Sequence, residues 1–170
     1  MSDHDFHEWL EAWAPFYTAV AAAAATLTGL LFISLSINRE RLLLSADRRR
    51  LRLALRSFGD FLFVLGLSLL MLVPKLDPHD LGTAVVVVAA LRIVNLVRQW
   101  RDPAYRHLRQ RTIIQTMTEY TFPLGSCLAL CWVGMGMWRG ERGVFYIMVF
   151  ILIELISTAS RNAWQLLMTE

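Results

Sequence analysis

The sequence predicts an all-α protein, a polytopic transmembrane helix bundle of about five spans. Three observations carry this. Of the 170 residues, 56% are hydrophobic, and the mean hydropathy is +0.45. A soluble chain of this length has too much surface for its volume to hide so much apolar area, a limit that a bilayer removes. The apolar residues also gather into five runs of roughly 17 to 24 residues, and about 20 residues at a rise of ~1.5 Å cross a hydrocarbon core. Finally, none of the runs alternates with period two, as β-barrel strands would. Helices meet the demand of lipid by pairing their own backbone groups.

The first run spans about 14–37, and Pro15 suits a first helical turn, where its missing N–H would go unpaired anyway. A basic segment follows, in which Asp47 reads as N-cap of a helix starting at Arg48 and running into a second span, about 57–74. The polar stretch 75–80 turns the chain into a third span, about 81–97. Asp102 and Pro103 read as N-cap and first residue of a further helix in the next basic segment. The fourth span is about 118–138, with a kink expected at Pro123. The turn Arg139-Gly-Glu-Arg-Gly143 leads into the fifth span, about 144–160. The whole of 1–170 reads as a single transmembrane domain. Acids and histidines occupy the first 13 residues, where a cleavable signal would be basic, so the first span is expected to stay in place.

Orientation follows from the basic residues near the span ends. The segments 38–56 and 98–111 together with Arg161 hold 13 of the 17, and the opposite side has only Lys75, Arg139 and Arg142. This bias predicts an N-out, C-in topology with both long loops in the cytoplasm, and so the bacterial cytoplasmic (inner) membrane. The arginines invite a nucleic-acid reading, but topology alone accounts for them. Anionic lipid headgroups, at about 1 kcal/mol per basic residue, are the partner expected there.

Ionisable residues inside spans are costly and therefore informative. Arg92 lies 11 residues from Leu81, and Glu154 lies 10 from Val144. Both are then about 15–16 Å below the outer surface. At a common depth they are expected to meet, either as an ion pair locking two helices or as a step in an ion or proton path. Asn95, one turn from Arg92, would extend such a network. Asp60 and Glu119 sit nearer the inner interface, as anchors or as carboxylates at a pore mouth. Asp60 follows Arg56 by one turn, which favours a pair.

The first span carries small residues at helical spacing. Ala21, Ala25 and Gly29 recur every four positions, with Thr18, Ala22 and Ser36 close to the same side. Such a ridge lets helices approach closely in lipid. It serves packing within the chain, a subunit interface or a pore lining, and Thr26, Ser36 and Asn38 add polarity to its inner half. Cys127 and Cys131 share a helical face, where a disulfide would be strained. With no further Cys or His at their depth they read as small packing residues and not as zinc ligands. His4, third after removal of Met1, forms a short copper-like pattern that chance explains. No metal or cofactor is expected. The four histidines stand in tails and loops on both sides, so no catalytic constellation forms and an enzyme is not expected.

Two stretches carry a resemblance. Leu27-Thr-Gly-Leu-Leu-Phe-Ile-Ser-Leu-Ser-Ile-Asn38, followed by arginines, and Arg161-Asn-Ala-Trp-Gln-Leu-Leu167 are similar to the first-helix signature and the closing motif of one family. Its members are small five-helix bacterial integral membrane proteins of uncharacterised function, some described as modulators of a membrane AAA protease. The resemblance implies a five-helix membrane fold and carries over no catalytic residue. The polar first helix, the small-residue ridge and the buried charges make a homo-oligomeric ion channel or pore the leading expectation. The alternative is a non-catalytic membrane regulator or scaffold that binds a partner membrane protein.

Overall fold

The computed structural model describes residues 3–37, 48–74, 76–101, 113–141 and 143–168, and within them the side chains of 6–37, 54–98 and 123–164 except 75 and 142. It is all-helical, with no strand among these residues. The helices are α1 (Asp3–Ile37), α2 (Arg48–Met71), α3 (Pro78–Arg101), α4 (Ile113–Trp138) and α5 (Val144–Met168). Four contain stretches long and apolar enough to cross a membrane: Phe6–Ile37, Ala54–Met71, Pro78–Arg98 and Val144–Trp164. The corresponding stretch of α4, Pro123–Trp138, is shorter. This is the architecture of an integral membrane protein.

The helices are longer than the apolar runs that announce them. The largest difference is in α1, which starts at Asp3 instead of near residue 14 and encloses Pro15. Pro15 is thus an interior residue and not a first-turn one, and it has no N–H to give to the carbonyl of Glu11. At 35 residues α1 is about 52 Å long, well beyond the ~30 Å of hydrocarbon it has to cross. The basic start of α2 at Arg48 agrees with the sequence reading, while its proposed cap, Asp47, lies outside the described residues. So do Asp102 and Pro103. Pro78 opens α3, three residues earlier than expected, and the Asp77 carbonyl accepts the first helical hydrogen bond from Leu81 N–H at 2.9 Å. Proline is well placed there, since a first-position N–H has no helical acceptor. Pro123 lies inside α4, which is assigned as one helix from Ile113 to Trp138.

The turn between α4 and α5 closes as expected. Gly140 N–H donates to Met137 O at 3.0 Å and Glu141 N–H donates to Gly136 O at 3.0 Å, with Gly140 at φ 68°. This is the paired bonding of a Schellman cap, whose left-handed residue favours glycine.

The chain divides into two compact units. The first comprises residues 1–6 and 75–151. Its centre is the packing of α3 on α4, where Leu81, Val85 and Ala89 of α3 and Cys127, Leu130, Val133 and Met137 of α4 are buried. Phe6 packs on Phe145 with ring centroids 5.6 Å apart. The second unit comprises residues 7–74 and 152–170. Here Leu31 of α1, Phe61 of α2 and Ala159 of α5 share a cluster flanked by Leu27, Leu35, Phe58 and Ala163. The period of α2 shows why it packs: Ala54, Ser57, Phe61, Val64, Ser68 and Met71 are buried at alternating steps of three and four, while Leu55, Leu62 and Leu69 point outward every seventh residue.

Candidate functional site

A helix in lipid normally presents bulky apolar side chains outward, and four of the five helices do. The outward residues are Leu55, Leu62 and Leu69 on α2, Val87, Leu91 and Val94 on α3, Leu128, Trp132 and Met135 on α4, and Phe150 and Ile153 on α5. The exception is the middle of α1, residues 15–29, whose exposed side chains are small or polar. Successive helical residues turn by about 100°. Glu8, Glu11, Pro15, Thr18, Ala22, Ala25, Thr26, Gly29, Ile33 and Ser36 therefore fall within about 60° of one line along the helix. All ten are exposed. The stripe carries carboxylates at its N-terminal end, then small and hydroxyl residues through its middle. Toward its C-terminal end lie Ile33 and Ser36, with Leu30, Phe32 and Ile37 exposed beside them.

The polar groups of the stripe have a defined polarity. Thr18 Oγ1 donates to Ala14 O at 2.9 Å, and Thr26 Oγ1 donates to Ala22 O at 2.8 Å. Just beside the stripe, the part-buried Thr28 donates to Ala24 O at 2.7 Å. Each hydroxyl proton is committed to the carbonyl one turn back, a bond that satisfies the donor in an apolar setting. What remains on the oxygen is acceptor capacity. Gly29 is open as well: a Cβ built there meets nothing within 4 Å.

The residues singled out by sequence distribute as follows. Ala25, Thr26, Gly29 and Ser36 face outward on α1, whereas Ala21 is buried, at 7% exposure, and Ala22 takes its place on the outward line. Asn38 lies outside the described residues, and of Glu119 only the helical backbone is described. Asp60 is half-buried on α2 of the second unit. Arg92 is half-buried on α3 in the first unit, with Asn95 exposed one turn on, and Glu154 is half-buried on α5 in the second. Cys127 is buried and Cys131 half-buried, both as free thiols. Among the described residues no three side chains of the metal-binding types come together.

Two features escaped the sequence reading. In the first unit the α3–α4 crossing is made by a glycine pair. A Cβ on Gly82 would lie 2.7 Å from Gly134 O, and a Cβ on Gly134 would lie 2.7 Å from Gly82 O and 2.6 Å from Val86 Cγ2. Trp138 Nε1 closes this contact by donating to His79 O at 3.2 Å. Gly134 is three residues past Cys131 and seven past Cys127, so the small-residue face of α4 was the available signal. The second feature is a set of hydroxyls, those of Tyr17, Ser57 and Ser68, buried in the second unit without a hydrogen-bond partner among the described residues. Hydropathy is blind to them, because each sits on a face that is otherwise apolar.

No known protein family, no curated protein and no solved structure matches the chain.

Proposed function

We propose that the chain is a homo-oligomeric ion channel or pore of the bacterial cytoplasmic membrane, non-catalytic, with α1 of each subunit turned to the shared axis. The observation that carries this is the outward stripe of α1. Its middle is made of Thr18, Ala22, Ala25, Thr26 and Gly29, where every other helix shows lipid bulky side chains. Small residues lower the distance at which a second helix can approach, and hydroxyls tolerate water. Because the threonine protons are already spent on the backbone, the lining offers acceptors, which suits cations shedding water. Glu8 and Glu11 at one end of the same stripe add negative charge at its mouth. Exposed Ile33, flanked by Leu30 and Phe32, supplies an apolar ring near the other end, the kind of constriction that gates by dewetting.

The orientation in this reading is N-out, C-in, from the distribution of arginines. Impermeant labelling of Ser45→Cys in intact cells would reverse it. Function is tested by recording from purified protein in planar bilayers. The expected result is cation-selective conductance that disappears in Gly29→Leu. A stable oligomer that conducts nothing would replace this reading by the other: a regulator or scaffold that binds a partner membrane protein through the exposed Leu30, Phe32, Ile33 and Ile37.

A further inference from the structure

At the end of its membrane stretch α5 carries an arginine aimed back toward the bilayer. The stretch Val144–Trp164 has 21 residues, about 30 Å at a rise of ~1.5 Å, which is the thickness of a hydrocarbon core. Trp164, 59% exposed, then stands at one membrane surface, where an amphipathic indole is at home. Arg161, also exposed, lies one turn before it, on the bilayer side of that surface. A basic side chain at such a depth ordinarily reaches out to water. Helix geometry works against that here. The Cα–Cβ bonds tilt toward the helix N-terminus, and from Arg161 that direction leads into the membrane. The guanidinium follows the tilt: Arg161 Nη2–H donates to Thr158 Oγ1 at 3.3 Å, one turn back.

We propose that this end of α5 binds a phosphate oxyanion, with the Arg161 fork across its oxygens. The bond to Thr158 uses one of several guanidinium donors, and among the described residues Arg161 meets no carboxylate. Ser157, exposed on the turn that carries Thr158, adds a hydroxyl donor on the bilayer side. Ser157, Arg161 and Trp164 fall within about 60° of one line, so a single ligand can reach all three. The planar fork matches phosphate with paired hydrogen bonds, and its tie to Thr158 holds it in place beforehand. A cation kept on the bilayer side of the surface faces the layer in which lipid phosphates lie, and an anion there offsets the cost of the charge. The site stands apart from the two arginine-rich loops. It asks nothing of α1, so it holds whether or not the chain conducts.

The phosphate can belong to a lipid headgroup that carries no cation of its own, or to a soluble phosphate ester, and the test separates the two. Purified full-length protein is placed in phosphatidylcholine nanodiscs containing a small fraction of phosphatidylglycerol with brominated chains. Quenching of tryptophan emission is read against the same fraction of brominated phosphatidylcholine, and the part lost in Trp164→Phe is the local signal. A preference for phosphatidylglycerol in that signal, cut about fivefold by Arg161→Gln and kept by Arg139→Gln at the other end of the helices, assigns a lipid headgroup. Arg161→Lys keeps the charge without the fork and should lose most of the preference, while Thr158→Val, which releases the guanidinium, should lose part of it. Arg161 is exposed, so these variants should fold, and unfolding temperatures of the same samples check that they do. A saturable shift of the Trp164 signal by glycerol phosphate in nanodiscs of phosphatidylcholine alone, abolished by Arg161→Gln, assigns the anion to solution instead. Equal quenching by the two lipids with no response to glycerol phosphate, or a preference that survives intact in Arg161→Gln or Arg161→Lys, overturns the proposal.

Discussion

Glycines at two sites, one in each unit, do opposite work. In the first, Gly82 and Gly134 bring α3 and α4 so close that the carbonyl of each would stand 2.7 Å from a Cβ on the other. In the second, Gly29 lies among small residues on α1, and a Cβ there would meet nothing within 4 Å. The first site is filled by the chain itself. The second has the composition of a helix contact, with no contact made among the described residues. In lipid, association is driven by close packing and hydrogen bonds, because apolar burial gains nothing against lipid tails. A small-residue face left outward is therefore a surface whose packing energy remains to be collected from outside the chain, and that difference between the two glycine sites is what points to assembly.

The sharpest way to break the comparison is to make one substitution at both sites. Gly134→Ala puts a methyl against the Gly82 carbonyl and the Val86 side chain. The two helices must separate, and the expected loss is about 1–3 kcal/mol, the usual cost of overpacking. It should appear as a lower unfolding temperature in detergent, and Gly82→Ala should match it. Gly29→Ala should instead stabilise the isolated chain slightly, by up to about 1 kcal/mol, through helix propensity alone. Equal losses at both positions would remove the distinction.

Gly29→Leu carries the next largest effect. The side chain has room within the chain, so the unfolding temperature of the monomer should hold while the oligomer mass in detergent falls to that of one subunit. An unchanged oligomer would place the subunit contact elsewhere. A smaller effect is expected for Trp138→Phe, which deletes the exposed hydrogen bond to His79 O at the end of the glycine crossing. Its loss should cost on the order of 0.5–1 kcal/mol, measured the same way, and should leave assembly untouched.

The comparison also marks how far the sequence could be read. Five helices, the turn at Gly140 and the start of α2 at Arg48 follow from hydropathy, turn chemistry and charge, all local properties. The early start of α1 does not. Residues 3–13 are mostly polar or aromatic, and Pro15 reads as a beginning. What extends the helix is tertiary: Phe6 and Leu10 are buried, with Phe6 on the Phe145 ring. The outward face of α1 was legible as a small-residue ridge, but with a phase error of one residue, Ala21 in place of Ala22. Four-residue spacing drifts around a helix of 3.6 residues per turn, so a row of fours cannot tell neighbouring faces apart. The glycine crossing was legible only as small residues in an apolar run, since spacing on one helix does not name the helix that meets it. Arg92 and Glu154 illustrate the same limit. Depth can be counted along each span, but which residue a side chain meets on another span cannot.

The smallest change in structure tests the functional half of the comparison. Thr26→Val keeps the shape and branching of the side chain and removes its hydroxyl. The bond lost, Thr26 Oγ1 to Ala22 O, is local, and Ala22 O keeps its helical bond from the Thr26 backbone N–H. Stability should therefore change by no more than about 0.5 kcal/mol, the range of an exposed substitution. Assembly should persist, because valine fills the same volume at the contact. If the outward stripe of α1 faces a conducting axis, the methyl replaces an acceptor with an apolar group on every subunit at once, and single-channel conductance should fall several-fold while Thr26→Ser retains it. If α1 only joins subunits or a partner, Thr26→Val and Thr26→Ser should behave alike in every assay. Conductance unchanged in Thr26→Val but lost in Gly29→Leu would keep the contact and move the ion path off this face.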